Sequence, residues 1–160
     1  MALVFLLGFR TGVFSAEKQV IGWVEKVRIV PEDLRIKAKL DTGALNSSLH
    51  ALEVEEFIHQ GEKWVRFNFT NWQNRTATYE RKVIRIARIK EHDRKSGERL
   101  VIRLGICLGQ VYKEVEVNLV DRSHFKYRML IGRSFLKESF VIDPALTFTI
   151  EPQCQGGSDP

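Results

Sequence analysis

Alternation with a period of two residues, recurring in segment after segment, constrains this chain more than any other feature. In residues 34–40 the apolar side chains Leu34, Ile36, Ala38 and Leu40 are all even-numbered, and Leu100, Ile102, Leu104, Ile106 and Leu108 repeat the pattern. Successive side chains of a strand point to opposite faces, so this period marks half-buried β-strands. Further strands are expected over residues 20–29, 64–69, 83–89 and 111–120, with Val65, Phe67 and Phe69 facing one way. Gly61, Ser96-Gly97 and Gly109-Gln110 fall between strands as turn signals. The one helical period is short, residues 134–138 after Gly132, and predicts at most a turn or two of helix. Many short strands with tight turns point to a barrel or sandwich.

A chain of 160 residues can bury roughly two thirds of its unfolded surface, so it needs neither a metal nor a disulfide framework to hold a core. With 44% hydrophobic and 28% charged residues, two large domains, a collagen-like fibre and a coiled coil are excluded. The formal net charge is +5, and residues 75–103 hold ten Lys and Arg against four Asp and Glu. That stretch carries the whole excess of positive charge.

Residues 2–9 form the only long apolar run, and small or mixed residues follow up to Ala16, ahead of Glu17-Lys18. The segment reads as the apolar core of a secretory signal over residues 1–16 and predicts a periplasmic or secreted chain. The other reading is a cytoplasmic chain with an apolar first strand. Eight apolar residues are too few for a bilayer, which needs about 20, so no stable membrane span is expected. Cys107 lies in an alternating run and reads as core; Cys154 lies in residues 153–160, read as a flexible tail. The pair is compatible with a disulfide or with two free thiols, and no bridge is expected.

The strand over residues 34–40 runs straight into Asp41-Thr42-Gly43-Ala44. A carboxylate at the end of a strand, followed by a hydroxyl and a glycine, suits aspartic proteolysis. That reaction needs a water held between two carboxylates that share one proton. One carboxylate acts as base on the water while its protonated partner acts as acid towards the scissile carbonyl. Glycine lets the backbone turn tightly, so that N–H groups can reach the carboxylate. Alone the tripeptide is a weak signal, expected by chance in roughly 3% of chains this long, and a turn with Asp bonding its own backbone is the bland alternative.

Some ninety residues later comes Met129-Leu130-Ile131-Gly132-Arg133-Ser134-Phe135-Leu136, an apolar strand ending in Gly-Arg and a short helical turn. With this second element the sequence resembles the retropepsin-like aspartic peptidases. It is similar in particular to the bacterial branch often labelled ATP-dependent zinc proteases and encountered alongside ATP-grasp ligases of the glutamate-ligase type. The motifs that carry the resemblance are Lys37-Ala38-Lys39-Leu40-Asp41-Thr42-Gly43-Ala44, Ser47-Ser48-Leu49-His50-Ala51, the basic stretch at 81–84, Ser96-Gly97-Glu98-Arg99 and Leu119-Val120-Asp121-Arg122-Ser123 leading to the Gly-Arg strand. It covers residues 20–152, nearly all of a domain placed at 17–152.

The resemblance implies a mostly β acid-protease barrel with one short C-terminal helix, active only as a homodimer in which two copies of Asp41 meet. Asp33, Asp93, Asp121, Asp143 and Asp159 are not followed by Thr-Gly or Ser-Gly, so a second loop must come from a second copy. Thr42 and Gly43 would shape the catalytic loop, Gly132 and Arg133 would brace it, and Ala44, Leu45, Ser96, Gly97 and Ile131 would join the binding surface. The flap would be the hairpin between residues 84–90 and 99–104, with residues 91–98 at its tip and bases that steer an acidic peptide. Better-known retropepsins carry an acidic pair after the alanine, whereas Leu45-Asn46 stand here, which leaves Arg133 without its usual partner.

His50, His59, His92 and His124 are scattered and form no zinc motif, and no phosphate-binding glycine loop is present, so no cofactor and no metal are expected. His50 and His124 lie near the two motifs and could shape the cleft. The aromatics near the basic stretch, Trp72 and Tyr79, do not alternate with its bases, so no nucleic-acid partner is expected. The expected partner is a peptide or protein substrate. A non-catalytic peptide-binding module of the same fold, associated with ATP-grasp ligase systems, is the main rival.

Overall fold

The computed structural model describes residues 17–89 and 97–154. Eleven strands and one helical turn follow in the order β1 (Gln19–Val30), β2 (Leu34–Leu40), β3 (Ser47–His50), β4 (Glu55–His59), β5 (Glu62–Thr70), β6 (Thr76–Lys82), β7 (Arg85–Ile89), β8 (Gly97–Leu108), β9 (Val111–Val120), β10 (Met129–Ile131), α1 (Arg133–Leu136) and β11 (Phe140–Thr147). The main sheet runs β11-β1-β2-β10-β3-β9-β8-β7. Antiparallel pairing of β1 with β8, Arg28 opposite Cys107 and Val30 opposite Gly105, closes six of these strands into a barrel.

The alternation explains the barrel's interior. Even-numbered residues of β2 and β8 point inward, and Leu34, Ile36, Ala38, Leu40, Ile102, Leu104, Ile106 and Leu108 are all buried. The second sheet, β4-β5-β6, lays Val65, Phe67, Phe69 and Tyr79 onto the same core, with Phe67 and Tyr79 stacked at 5.2 Å between ring centroids. Gly61 and Gly109 adopt φ of 79° and 58° in the turns β4–β5 and β8–β9, a conformation that costs glycine little.

The topology departs from a simple meander at β10. This short strand inserts between β2 and β3, parallel to the first and antiparallel to the second, and so lies directly beside the loop joining them. Residues 41–46 therefore leave β2 on one side of β10 and return to the sheet on the other.

The sequence leaves the pairing of the two cysteines open, and the structure decides it. Cys107 and Cys154 form a disulfide, and Gln153 N donates to Gly109 O at 2.6 Å. The terminal segment is held further by the buried Glu25, whose carboxylate accepts hydrogen bonds from Gly22 N, Thr149 N, Thr149 Oγ1 and Ile150 N. That the bridge is not legible in the sequence has a topological cause: β8 and the end of the chain are brought together by β1, which pairs with both β8 and β11. The leader reading at 1–16 and the tail beyond 154 lie outside the described residues.

Candidate active site

Asp41 stands where β2 stops, with its side chain 25% exposed. Its Oδ1 accepts hydrogen bonds from Gly43 N at 2.9 Å and Ala44 N at 3.2 Å, so the loop folds back on the carboxylate. Its Oδ2 lies 3.3 Å from the Lys39 ammonium, two residues earlier on the same outward row of β2. Partial burial raises the carboxyl's pKa. The Gly43 N–H, the hydrogen bond and charge of Lys39 and the Ala44 N–H together outweigh it, and the net shift is downward.

The brace expected from Gly132-Arg133 is present. Asp41 N donates to Ile131 O at 2.9 Å, Arg133 N to Ala44 O at 2.9 Å and Ser134 N to Leu45 O at 3.0 Å, which pins both ends of the loop to β10 and α1. A Cβ at Gly132 would lie 2.6 Å from Asn46 O and 2.7 Å from Leu45 O, and only glycine allows so close a crossing. Arg133 replaces its missing acidic partner with backbone: Nη1 donates to Thr42 O and Gly43 O, both at 2.9 Å.

Among the residues singled out from the sequence, Asp41, Thr42, Gly43, Ala44, Leu45, Gly132 and Arg133 are brought together, whereas Ile131, expected on the binding surface, is fully buried in the barrel core and meets the loop only through its backbone carbonyl. Leu45 is 61% exposed. Gly97 opens β8 opposite Ile89 in the β7–β8 hairpin, the expected flap. Ser96 and residues 91–95 of the hairpin tip lie outside the described residues. A shallow cavity of about 540 Å³ opens at Asp41, lined also by Trp23, Lys39, Leu40, Thr42, Ile142 and Pro144. The sequence alone assigns no role to Lys39, Trp23, Ile142 or Pro144. Only the odd-numbered row of β2 ending at Asp41 could have signalled Lys39.

His50, expected near the cleft, is buried and does not line the cavity at Asp41. His50 Nδ1 accepts from Arg122 N at 2.9 Å, and burial, reinforced by Arg128, lowers its pKa against the opposing pull of Asp121. The ring is therefore a neutral acceptor that fixes the turn after β9. The buried Arg122 side chain donates from Nη1 to Ser48 Oγ at 3.1 Å and from Nε to Tyr127 O at 3.2 Å.

The family model described as RimB-like, retropepsin-like aspartic endopeptidase RimB, matches residues 20–153. A Shewanella pealeana protein named probable alpha-L-glutamate ligase is 37% identical over 118 residues, covering 72% of this chain and 26% of the relative. A Desulfotalea psychrophila protein of the same name is 37% identical over 114 residues, covering 69% and 25%. The chain thus spans about a quarter of the length of the curated relatives it matches. A Legionella pneumophila protein of unknown function, known from its crystal structure, is similar with a TM-score of 0.71 and 33% identity over 83% of this chain and 98% of that one.

Proposed function

Because the chain belongs to the RimB-like family of retropepsin-like aspartic endopeptidases, we propose that it hydrolyses peptide bonds as a homodimer in which two Asp41 carboxylates activate water. The observation that carries this reading is the loop itself. It presents one carboxylate at a strand end, holds it with two backbone N–H groups and leaves it facing an open cavity. Two such carboxylates brought together share a proton. The ionised one takes a proton from the bound water as oxygen attacks the carbonyl carbon, and the protonated one donates to the carbonyl oxygen. Proton transfer to the amide nitrogen then lets the C–N bond break.

Dimerisation is supported by the edge strand β11 and its neighbour β1, where Val20, Val141 and Leu146 are 56%, 48% and 41% exposed. An unpaired apolar edge is a template for a second copy. An acidic peptide is the substrate class that suits the lysine beside Asp41, and it agrees with the glutamate ligase in the relatives' names. The disulfide supports an oxidising compartment outside the cytosol as the place of action.

Cleavage of a peptide library by the purified chain between about pH 4 and pH 7.5 tests the reading. Hydrolysis is expected to be insensitive to chelator, blocked by a pepstatin-type inhibitor, and to rise in specific rate with protein concentration as dimers form. Silence from a well-folded dimer at every pH would leave the chain a peptide-binding module.

Lys39 makes a finer prediction. Its charge favours ionised Asp41, so Lys39→Met raises the carboxyl's pKa. A dyad works between its two proton steps and both move upward, so the activity window shifts to higher pH. The kcat/KM profile against pH reads this directly; an unmoved profile would mean that Lys39 turns away from Asp41 in the working dimer.

A further inference from the structure

Many cations on the outside of this protein are ion-paired. On the small sheet Lys63 meets Glu56, Lys82 meets Glu62, and Arg66 lies between Glu55 and Glu80. Lys37, Lys126 and Arg128 are exceptions that sit together, and none of the described carboxylates lies within ion-pair distance of them. They line a groove of about 470 Å³ with Trp72, Tyr127 and Phe148. Three uncompensated charges in one groove repel each other and favour an anionic occupant.

The aromatic residues argue that the groove is built for contact. Trp72 and Phe148 are 40% and 44% exposed and flank Lys37, whose ammonium lies 5.1 Å and 5.6 Å from the two ring centroids. A lone lysine over a ring is an ordinary solvated side chain, but a lysine held between two exposed rings is aimed. Phe148 has a φ of 53°, the left-handed region that a bulky residue rarely enters, and its N donates to Val24 O at 2.8 Å. Strain of this kind persists where the surroundings impose it, often at binding sites.

Position relates the groove to the catalytic loop. Lys37, Lys39 and Asp41 follow one another on the outward row of β2, and Arg128 immediately precedes Met129, the ladder partner of Ala38. At about 3.3 Å per residue, Lys37 stands roughly 13 Å from Asp41 along the strand. An extended peptide with its scissile bond at Asp41 would reach the groove about four residues away.

We propose that this groove is an exosite for an acidic, extended segment of the peptide substrate, with Lys37 and Arg128 taking side-chain carboxylates while Trp72 and Phe148 exclude water on either side. The proposal rests on the reading of the chain as an acidic-peptide hydrolase, but it concerns binding and is tested without turnover. The probes are fluorescein-labelled hexaglutamate and hexaglutamine, followed by anisotropy near physiological ionic strength with the Asp41→Asn chain.

Hexaglutamate is expected to bind at least about tenfold more tightly than hexaglutamine, and Lys37→Ala/Arg128→Ala to weaken it by about tenfold or more. Lys63→Ala/Lys82→Ala, which removes the same charge from the small sheet, is expected to leave binding unchanged. Equal weakening by both pairs would reduce the effect to general attraction, and no weakening by the first pair would place the peptide elsewhere. Either result overturns the proposal. So does tighter, Lys37-dependent binding of a single-stranded oligonucleotide, which would make the groove a nucleic-acid site. If the native chain cleaves acidic peptides while the groove variant binds hexaglutamate undiminished, the exosite falls and the hydrolase stands. If the chain cleaves nothing but binds hexaglutamate through the groove, the hydrolase falls and the acidic-peptide groove stands.

Discussion

Asp41→Asn is expected to lower peptide hydrolysis by roughly 10³-fold or more while leaving the folded chain nearly as stable as the native one. An amide cannot take a proton from water, and in a homodimer both halves of the dyad are lost at once. The fold survives because an asparagine Oδ1 still accepts from the N–H groups of Gly43 and Ala44, which hold the loop. What disappears is the ion pair with Lys39, whose side chain is 43% exposed; surface pairs of this kind contribute about 0–1 kcal/mol. The measurement is kcat/KM beside a thermal melt of the same sample. Full activity would sink the carboxylate mechanism, and an unfolded variant would make Asp41 a structural residue instead.

The elements legible in the sequence are those whose side chains obey one simple period. β2, β5 and β9 bury one face and alternation marks them, while β1 and β8 are marked by their apolar content although each buries residues of both parities, Val24 as well as Val27 and Cys107 as well as Ile106. β3 shows no such period because all four of its residues, Ser47 to His50, are buried, including two serines and a histidine whose side chains accept hydrogen bonds from Arg122, after β9, and Gly132, after β10. β11 is obscured because Asp143 and Pro144 interrupt a strand that lies at the sheet edge, where a missing N–H costs little. The short, largely exposed β4 and the β6 sequence Thr-Ala-Thr-Tyr-Glu-Arg-Lys carry too few apolar residues to show a period.

The Asp41 loop is legible because its chemistry is local: a carboxylate, a hydroxyl and a glycine at a strand end, then a Gly-Arg strand to cross behind them. Lys39 beside Asp41 and the carbonyl partners of Arg133 are not, since both depend on where side chains point after the loop has closed. The groove between Trp72 and Phe148 joins residues 76 positions apart and depends on the barrel bringing their segments together.

The same distinction between local and long-range contacts makes the disulfide the strongest single determinant of stability to test. Cys107 and Cys154 are separated by 47 residues. In the chain-entropy picture, opening a loop of that size frees the unfolded state by about 4 kcal/mol at 25 °C. A typical domain is stable by about 5–15 kcal/mol, so the loss is a large part of the whole. The effect is expected to be fully realised because the native side changes little: Gln153 N keeps Gly109 O, and Arg28 Nη2 still donates to Cys154 O at 3.1 Å. Those weak tethers hold the segment in the folded chain but do nothing to restrict the unfolded one. Cys107→Ala/Cys154→Ala is therefore expected to lower the denaturant midpoint markedly with little change in activity at low temperature. A shift below about 1 kcal/mol would show that the unfolded chain stays compact without the bridge, and that Glu25 and its four donors, rather than the sulfurs, hold the end of the chain in place.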